Sequence, residues 1–515
     1  MNTRSLPLLS LLLALVSGTA SVLAFAPFGW WPVGILTLAF AFWLMLRAQS
    51  VRNAAMIGWA YGFGWCASGV WWLYVSLHRF GGMAAPMAAL AVVLLALYLG
   101  LFAAFAMGLG AWLKRRWVAS DAVTALLILP SLWALGEWMR GWVFTGLPWV
   151  VSGYAHTDSP LAGYAPLAGV FGIGWVVAFV AGCLALLPNA KRRANFAAAA
   201  ALVLAAGYGL AQVEWTEPAG EPISVRLLQG NVPQEMKFAR RQIVAALILY
   251  HDLIMAQPAD LIATPETAVP LFAQQLPPDY LPRLQAIADK SGSHIALGIP
   301  VSDSPHEYAN SVIGLAPGVQ PEPGRFAYRY DKHHLVPFGE FVPWGFRWFV
   351  NMMNIPLGDF ERGQALQHPL AVRGQWVLPN ICYEDLFGEE IAGQIAARFH
   401  AGQAEPTILL NMSNIAWFGD TIALPQHLQI SRMRSLETGR PMLRSTNTGV
   451  TAVIDQKGRV TDRLPYYTQG VLSAVVQGYK GATPYIRFGN AAVLTLALAA
   501  LAAAWLLSLR RMRNA

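Results

Sequence analysis

Residues 377–390, Val-Leu-Pro-Asn-Ile-Cys-Tyr-Glu-Asp-Leu-Phe-Gly-Glu-Glu, read as the end of a buried strand, a polar turn carrying Cys382, and the start of a helix. The same alternation recurs on both sides of this stretch. Strands are expected at 223–229, 261–264, 294–299, 376–381, 407–412, 442–445 and 449–454, and helices at 238–256, 280–291, 386–399 and 425–438. Asp455-Gln456-Lys457-Gly458 reads as a hairpin turn. Strands alternating with helices, with hairpins added, predict a layered α/β domain over residues 222–477.

The rest of the chain has another character. Of its 515 residues 56% are hydrophobic and only 12% charged, whereas charged residues make up about a quarter of an ordinary globular protein. Before residue 212 the only acids are Asp121, Glu137 and Asp158, while acids are scattered through 214–462. Apolar runs long enough to cross a hydrocarbon core of roughly 30 Å lie near 7–25, 28–47, 54–76, 83–113, 119–139, 166–187, 194–212 and 489–509. They predict a membrane protein with eight transmembrane α-helices, seven within residues 1–213 and one at 489–509. The first run also has features of a secretory signal peptide, with Arg4, a Leu-rich centre and small residues around Ala24. The next run follows almost at once, which favours a span.

Basic residues set the expected orientation. With a cytoplasmic N-terminus, Arg4, Arg47, Arg52, Lys114, Arg115, Arg116, Lys191, Arg192, Arg193, Arg510, Arg511 and Arg513 all fall on the cytoplasmic side, and only Arg79 and Arg140 of the early cations fall outside. After seven crossings the α/β block lies outside the cytoplasm, in the periplasm of a bacterium with two membranes. The formal charge of +8 is then a topology signal, and no nucleic-acid partner is expected. The loop 140–165, rich in Gly, Pro and aromatic residues, suits the outer interface as an anchor or as a lipid-handling segment. Glu137 is either a functional acid or the partner of Arg140.

Three strand ends deliver one reactive residue each. Thr264-Pro265-Glu266-Thr267 carries Glu266, the segment from Tyr330 to Glu340 carries Lys332, and the quoted stretch carries Cys382. Sites in α/β sheets gather at strand ends, so a base, an electrostatic stabiliser and a nucleophile could converge. A thiol of pKa about 8.5 attacks well only with a lowered pKa or a nearby base. Glu266 could take its proton, Lys332 could stabilise the oxyanion, and a helix starting just after Cys382 would add its positive end. Singly, each has a plainer reading: an inert buried thiol, a surface lysine, a capping carboxylate. His333 and His334 would point to opposite faces of a strand, and three scattered cysteines form neither a disulfide framework nor a metal site. No metal and no cofactor is expected.

In their sequence contexts, Pro265-Glu266, Tyr330-Asp331-Lys332-His333-His334-Leu335-Val336-Pro337-Phe338-Gly339-Glu340 and Cys382-Tyr383-Glu384, these residues resemble the Glu-Lys-Cys triad of the nitrilase superfamily. With the spans in this order, and with 229–234, 141–149, 414–420, 433–441 and 444–449 matching as well, the whole chain resembles the bacterial apolipoprotein N-acyltransferase family. The resemblance implies an αββα sandwich and a ping-pong acyl transfer. Cys382 would take a fatty acyl chain from a phospholipid as a thioester and pass it to the N-terminal amine of a diacylglyceryl-cysteine in an apolipoprotein. It also implies Glu266 as general base, Lys332 as stabiliser of the tetrahedral intermediate, and Glu340, Tyr383 and Glu384 as supports. Phe238 stands where members of the family often carry Trp. A membrane-tethered amidase with the same triad is the alternative.

Both substrates of such a transfer are held in the bilayer by acyl chains, each buried CH₂ being worth about 0.8 kcal/mol. The site would have to come to the lipid. Trp344, in the aromatic segment 338–350, is expected to contact lipid as part of a lid or membrane-facing arm, as are Phe238, Trp417 and Trp149 elsewhere in the chain.

Overall fold

The computed structural model describes residues 5–188, 192–233, 240–304, 307–319, 326–350 and 359–513. Arg4, Lys191, Gln234 and Phe238 lie outside the described residues. The chain forms two compact units, one of Met1–Tyr74, Ala84–Val213 and Arg487–Ala515, the other of Val75–Met83 and Glu214–Ile486.

The second unit is built on two six-stranded sheets. The first contains β1 (Glu217–Gln229), β2 (Leu261–Ala263), β3 (His294–Ser304), β4 (Glu307–Leu315) and β5 (Tyr328–Asp331), and the second contains β6 (Leu370–Val372), β7 (Gln375–Ile381), β8 (Ile408–Ser413), β9 (Met442–Thr446), β10 (Ala452–Ile454) and β11 (Val460–Arg463); β12 (Gly470–Lys480) returns to the first. Their orders are β12-β1-β2-β3-β4-β5 and β11-β10-β9-β8-β7-β6. In each sheet the three central strands run parallel, β1-β2-β3 and β7-β8-β9, with antiparallel strands at the flanks.

Side-chain alternation along the strands sorts the layers. Val225 and Leu227 of β1, Leu261 and Ala263 of β2, Val377 and Ile381 of β7, and Ile408, Leu410 and Met412 of β8 share one core between the sheets. Their neighbours point the other way. Leu228, Ile262 and Ile295 pack with Leu247, Tyr250 and Leu284 from the helices Arg240–Met255 and Tyr280–Ser291. Leu378, Leu409 and Met442 pack with Ile391, Ile395 and Leu428 from the helices Gly388–His400 and Ala423–Thr438. A strand buried on both faces reads as an unbroken apolar run, which is why Leu-Ile-Ala and Ile-Leu-Leu mark the centre of the fold. The result is a four-layer helix–sheet–sheet–helix sandwich.

Two sequence expectations change here. Strands β4, β6 and β12 were not expected, and β5 and β11 were implied only by the strand end before Lys332 and by the hairpin turn at 455–458. β12 pairs with β1, a partner more than 200 residues away that no local pattern announces, and β11 is largely exposed. The α-helix also does not follow Cys382 directly. A 3₁₀ turn, Cys382–Leu386, comes first and the α-helix starts only at Gly388.

In the first unit a helix occupies each of the expected apolar runs, and among the described residues five are long and apolar enough to cross a membrane: Ala85–Arg116, Asp121–Arg140, Pro160–Ala185, Arg193–Leu210 and Ala491–Met512. Trp31–Leu46 and the N-terminal helix are apolar but shorter, and Val51–Val70 is diluted by Arg52, Asn53 and several glycines. The loop after Arg140 folds into short 3₁₀ turns at Val143–Thr145, Ser152–His156 and Pro160–Tyr164. Trp149 is buried there with its ring 4.6 Å from that of Trp72, so it packs inside the unit and is not presented to lipid; the exposed rings are Trp142 and Phe144. Glu137 pairs with Arg140 at 3.9 Å and accepts from the Ser152 N–H at 2.6 Å and hydroxyl at 2.8 Å.

Leu410 lies at the centre of the inter-sheet core with no exposed surface. Leu410→Ala is expected to cost about 2–5 kcal/mol, read as a lowered unfolding midpoint of the purified protein in detergent. A midpoint equal to wild type would contradict a close-packed interface between the sheets.

Candidate active site

Strand β2 is followed by Thr264-Pro265-Glu266, and this turn is pinned at once. The Thr264 N–H donates to the Ala296 carbonyl at 3.0 Å, and its Oγ1 accepts from the Gly298 N–H at 2.9 Å. Gly298 is needed for this approach, since a Cβ there would sit 2.2 Å from the Pro265 oxygen and 3.1 Å from Glu266 Cα. Strand β5 ends one residue before Lys332, whose N–H donates to the Asn310 carbonyl on β4 at 2.8 Å.

The Lys332 ammonium is 1% exposed and lies between two carboxylates, 3.2 Å from Glu266 Oε1 and 2.8 Å from Glu340 Oε1. Asn310 Nδ2 bridges the same two oxygens at 2.8 and 2.9 Å. The outer oxygens are also held: Glu266 Oε2 accepts from the Asn414 N–H at 2.8 Å, and Glu340 Oε2 from the Val336 N–H at 2.8 Å. Burial works to lower the Lys332 pKa, but the two carboxylates outweigh it and hold the ammonium above its ordinary value.

Cys382 faces this cluster from the end of β7. Its backbone is left-handed, at φ +52°, a conformation that a residue with a Cβ rarely adopts and that recurs at reactive turns. Burial, then the Glu266 charge and the Glu340 charge, push its thiol up, against the opposing pull of Lys332 and of the Asn414 N–H. The resting group is therefore a thiol, and the nearby base, not a lowered pKa, is the available route to a thiolate. Charge conservation makes the route cheap: a proton passed from Cys382 to Glu266 leaves the cluster's net charge unchanged, whereas a proton lost to solvent adds an anion beside two carboxylates.

Glu384 joins the strand ends. It accepts from the Ile381 N–H at 2.6 Å, the Tyr330 hydroxyl at 3.0 Å, and the His333 and His334 N–H groups at 2.7 and 3.2 Å. Burial pushes its pKa up to about 7 against the Ile381 and His333 donors. It thereby ties the Cys382 turn to the Lys332 segment. Tyr383 is buried against Phe387 and His334. His333 and His334 go separate ways, to the Gly363 carbonyl and to Glu390.

The structure thus brings Glu266, Lys332, Glu340, Cys382 and Glu384 together. The aromatic residues lie elsewhere. Trp344 is 98% exposed, Phe346 and Trp348 are also exposed, and Trp417 is half-buried with its ring edge-on to Phe80 at 5.9 Å. Asn310 and the Asn414 N–H were not foreseen as site groups. Asn310 shares strand β4 with Glu307 and Ser311, and its sequence signal is that a buried amide needs a partner.

Residues 17–183 match the family of the apolipoprotein N-acyltransferase N-terminal domain, and residues 224–485 match the carbon-nitrogen hydrolase family. The chain is 50% identical over 494 residues to the apolipoprotein N-acyltransferase of Ralstonia nicotianae, covering 96% of this chain and 92% of the relative. It is 44% identical over 492 residues to that of Nitrosomonas europaea, covering 94% and 95%. Identity to that of Chromobacterium violaceum is 43% over 511 residues, covering 98% and 95%.

Two outcomes are expected of this site. Gly298→Ala displaces the Glu266 turn, and since a shift of about 1 Å costs on the order of 100-fold in rate, acyl-transfer assays should show a loss of that size in folded protein; full activity would mean the turn is not so constrained. Alkylation of Cys382 by iodoacetamide should climb about tenfold per pH unit through pH about 8.5, the range where an ordinary thiol levels off, because a raised pKa moves the plateau to higher pH. A plateau below that point would show a stabilised thiolate.

Proposed function

The chain belongs to the apolipoprotein N-acyltransferase family, and from that premise we propose that it acylates the N-terminus of apolipoproteins in two half-reactions at Cys382. In the first, Glu266 takes the proton from the Cys382 thiol and the sulfur attacks the ester carbonyl of a phospholipid. Negative charge grows on the carbonyl oxygen, where the Lys332 ammonium stabilises it. The intermediate collapses by breaking the ester C–O bond, Glu266 returns the proton to the departing lysophospholipid oxygen, and a thioester remains on Cys382. In the second, the free α-amine of a diacylglyceryl-cysteine attacks the thioester, Glu266 accepts the amine proton, and the C–S bond breaks to give an N-acyl amide. The proton then goes back to the thiol.

The observation that carries this reading is the buried Glu266–Lys332–Glu340 cluster facing a raised thiol. Glu340 and Glu384 keep Lys332 and the Cys382 turn in place, and Tyr383 packs behind that turn. The helices at the eight apolar runs are read as eight spans of the bacterial inner membrane with their basic clusters facing the cytoplasm, residues 1–213 and 489–509 forming the membrane domain and 222–477 a periplasmic catalytic domain. Exposed Trp344, Phe346 and Trp348 enter the lipid surface, where aromatic side chains are favoured, and Trp417 lines the approach to the site. The donor, the acceptor and the bilayer are the partners.

Mixing purified protein with phospholipid alone should give one acyl adduct on Cys382 by intact mass. Adding a diacylated lipopeptide should discharge it to a triacylated product, and Cys382→Ser should form neither. Release of free fatty acid as the sole product would point instead to a hydrolase, and triacylated product from Cys382→Ser at the wild-type rate would exclude covalent catalysis at that residue.

A further inference from the structure

The left-handed backbone at Cys382 must be held by tertiary contacts, because local sterics oppose it. Its carbonyl accepts from Asn411 Nδ2 at 3.4 Å, and the turn that Cys382 opens is held through Asp385. His427 is buried, and its Nδ1 lies 3.2 Å from Arg444 Nη2. A guanidinium only donates, so Nδ1 accepts and Nε2 carries the proton, 3.9 Å from Asp385 Oδ2. Burial, then the Arg444 charge, hold this imidazole well below its ordinary pKa, so it carries a single proton.

Arg444 is anchored in turn. Its Nη1 lies 3.1 Å from Asp385 Oδ2, and the Ser431 hydroxyl bonds both the guanidinium and that carboxylate. Asp385 sits on the same 3₁₀ turn as Cys382. The contacts therefore close a ring, from Asp385 on the Cys382 turn through Arg444 and His427 back to the Asp385 carboxylate. Asp385, Ser431 and Arg444 have no exposed surface, and the proton transfers proposed above use none of them. A buried polar network is costly to desolvate and is favourable when every member fixes a geometry.

We propose that Asp385, Arg444 and His427 are positioning residues that hold the Cys382 backbone so that its sulfur faces Glu266 and Lys332. The inference rests on the reading of Cys382 as nucleophile. Its test is the rate of acyl-adduct formation on Cys382, per mole of folded full-length protein, over a range of phospholipid concentrations. His427→Leu should slow the step at saturating lipid by about 100-fold with the half-saturating concentration unchanged, while His427→Gln, which keeps one donor and one acceptor, should recover to within about tenfold of wild type. A loss of stability alone would reduce the folded amount without changing the rate per folded molecule. If His427→Leu does not fold, Asp385→Asn, which keeps the side-chain shape but removes the charge holding Arg444, is expected to show the same loss at saturating lipid. A folded variant of either kind that acylates at the wild-type rate, or a Gln variant as slow as Leu, overturns the relay. Absence of any adduct on wild-type Cys382 overturns the nucleophile reading instead.

Discussion

A lysine ammonium with almost no exposed surface can keep its proton only if opposite charge is supplied at contact distance. Lys332 has two carboxylates there, 3.2 and 2.8 Å away, and the rest of the site follows from satisfying all three groups. Glu266 and Glu340 each need further donors, and these come from Asn310 on β4, the Asn414 backbone after β8 and the Val336 backbone. Segments far apart in the chain are thereby pinned to a single point. Burial first, and then the Glu266 charge, hold the Cys382 thiol up, so a proton moves within the cluster more readily than out of it.

The two sheets make this convergence possible. Parallel strands β2 and β3 in one sheet and β7, β8 and β9 in the other leave their carboxyl ends as sites for turns. Glu266 follows β2, Cys382 follows β7 and Asn414 follows β8, while antiparallel β5 delivers Lys332. The shared apolar core between the sheets fixes their register, because a one-residue slip would turn every core residue outward. Precision at the polar cluster is thus inherited from Leu, Ile and Val packing behind it.

The helical unit handles its few polar groups by the same rule. Glu137 does not stand alone but is held by Arg140 and Ser152, and Arg140 lies 4.9 Å over the Trp65 ring. Trp149 illustrates the limit of reading aromatics as lipid anchors. In the same loop, one tryptophan is buried against Trp72 while Trp142 and Phe144 face outward, and composition alone does not say which.

By itself the sequence determined what depends on local pattern. Continuous apolar runs located the central strands, 3.6-residue periodicity located all four of the expected helices within 240–438, and charge depletion separated an apolar block from an α/β block. Residue type in context singled out Glu266, Lys332 and Cys382. What the tertiary structure alone decided is everything set by distant partners: the pairing of β12 with β1, the place of Asn310 between two carboxylates, the burial of Trp149, and the raised Cys382 thiol. The physical reason is that propensity and periodicity are summed over neighbours in the chain, whereas desolvation and Coulomb terms are summed over neighbours in space. Around Lys332 and Cys382 those two sets of neighbours share almost no members.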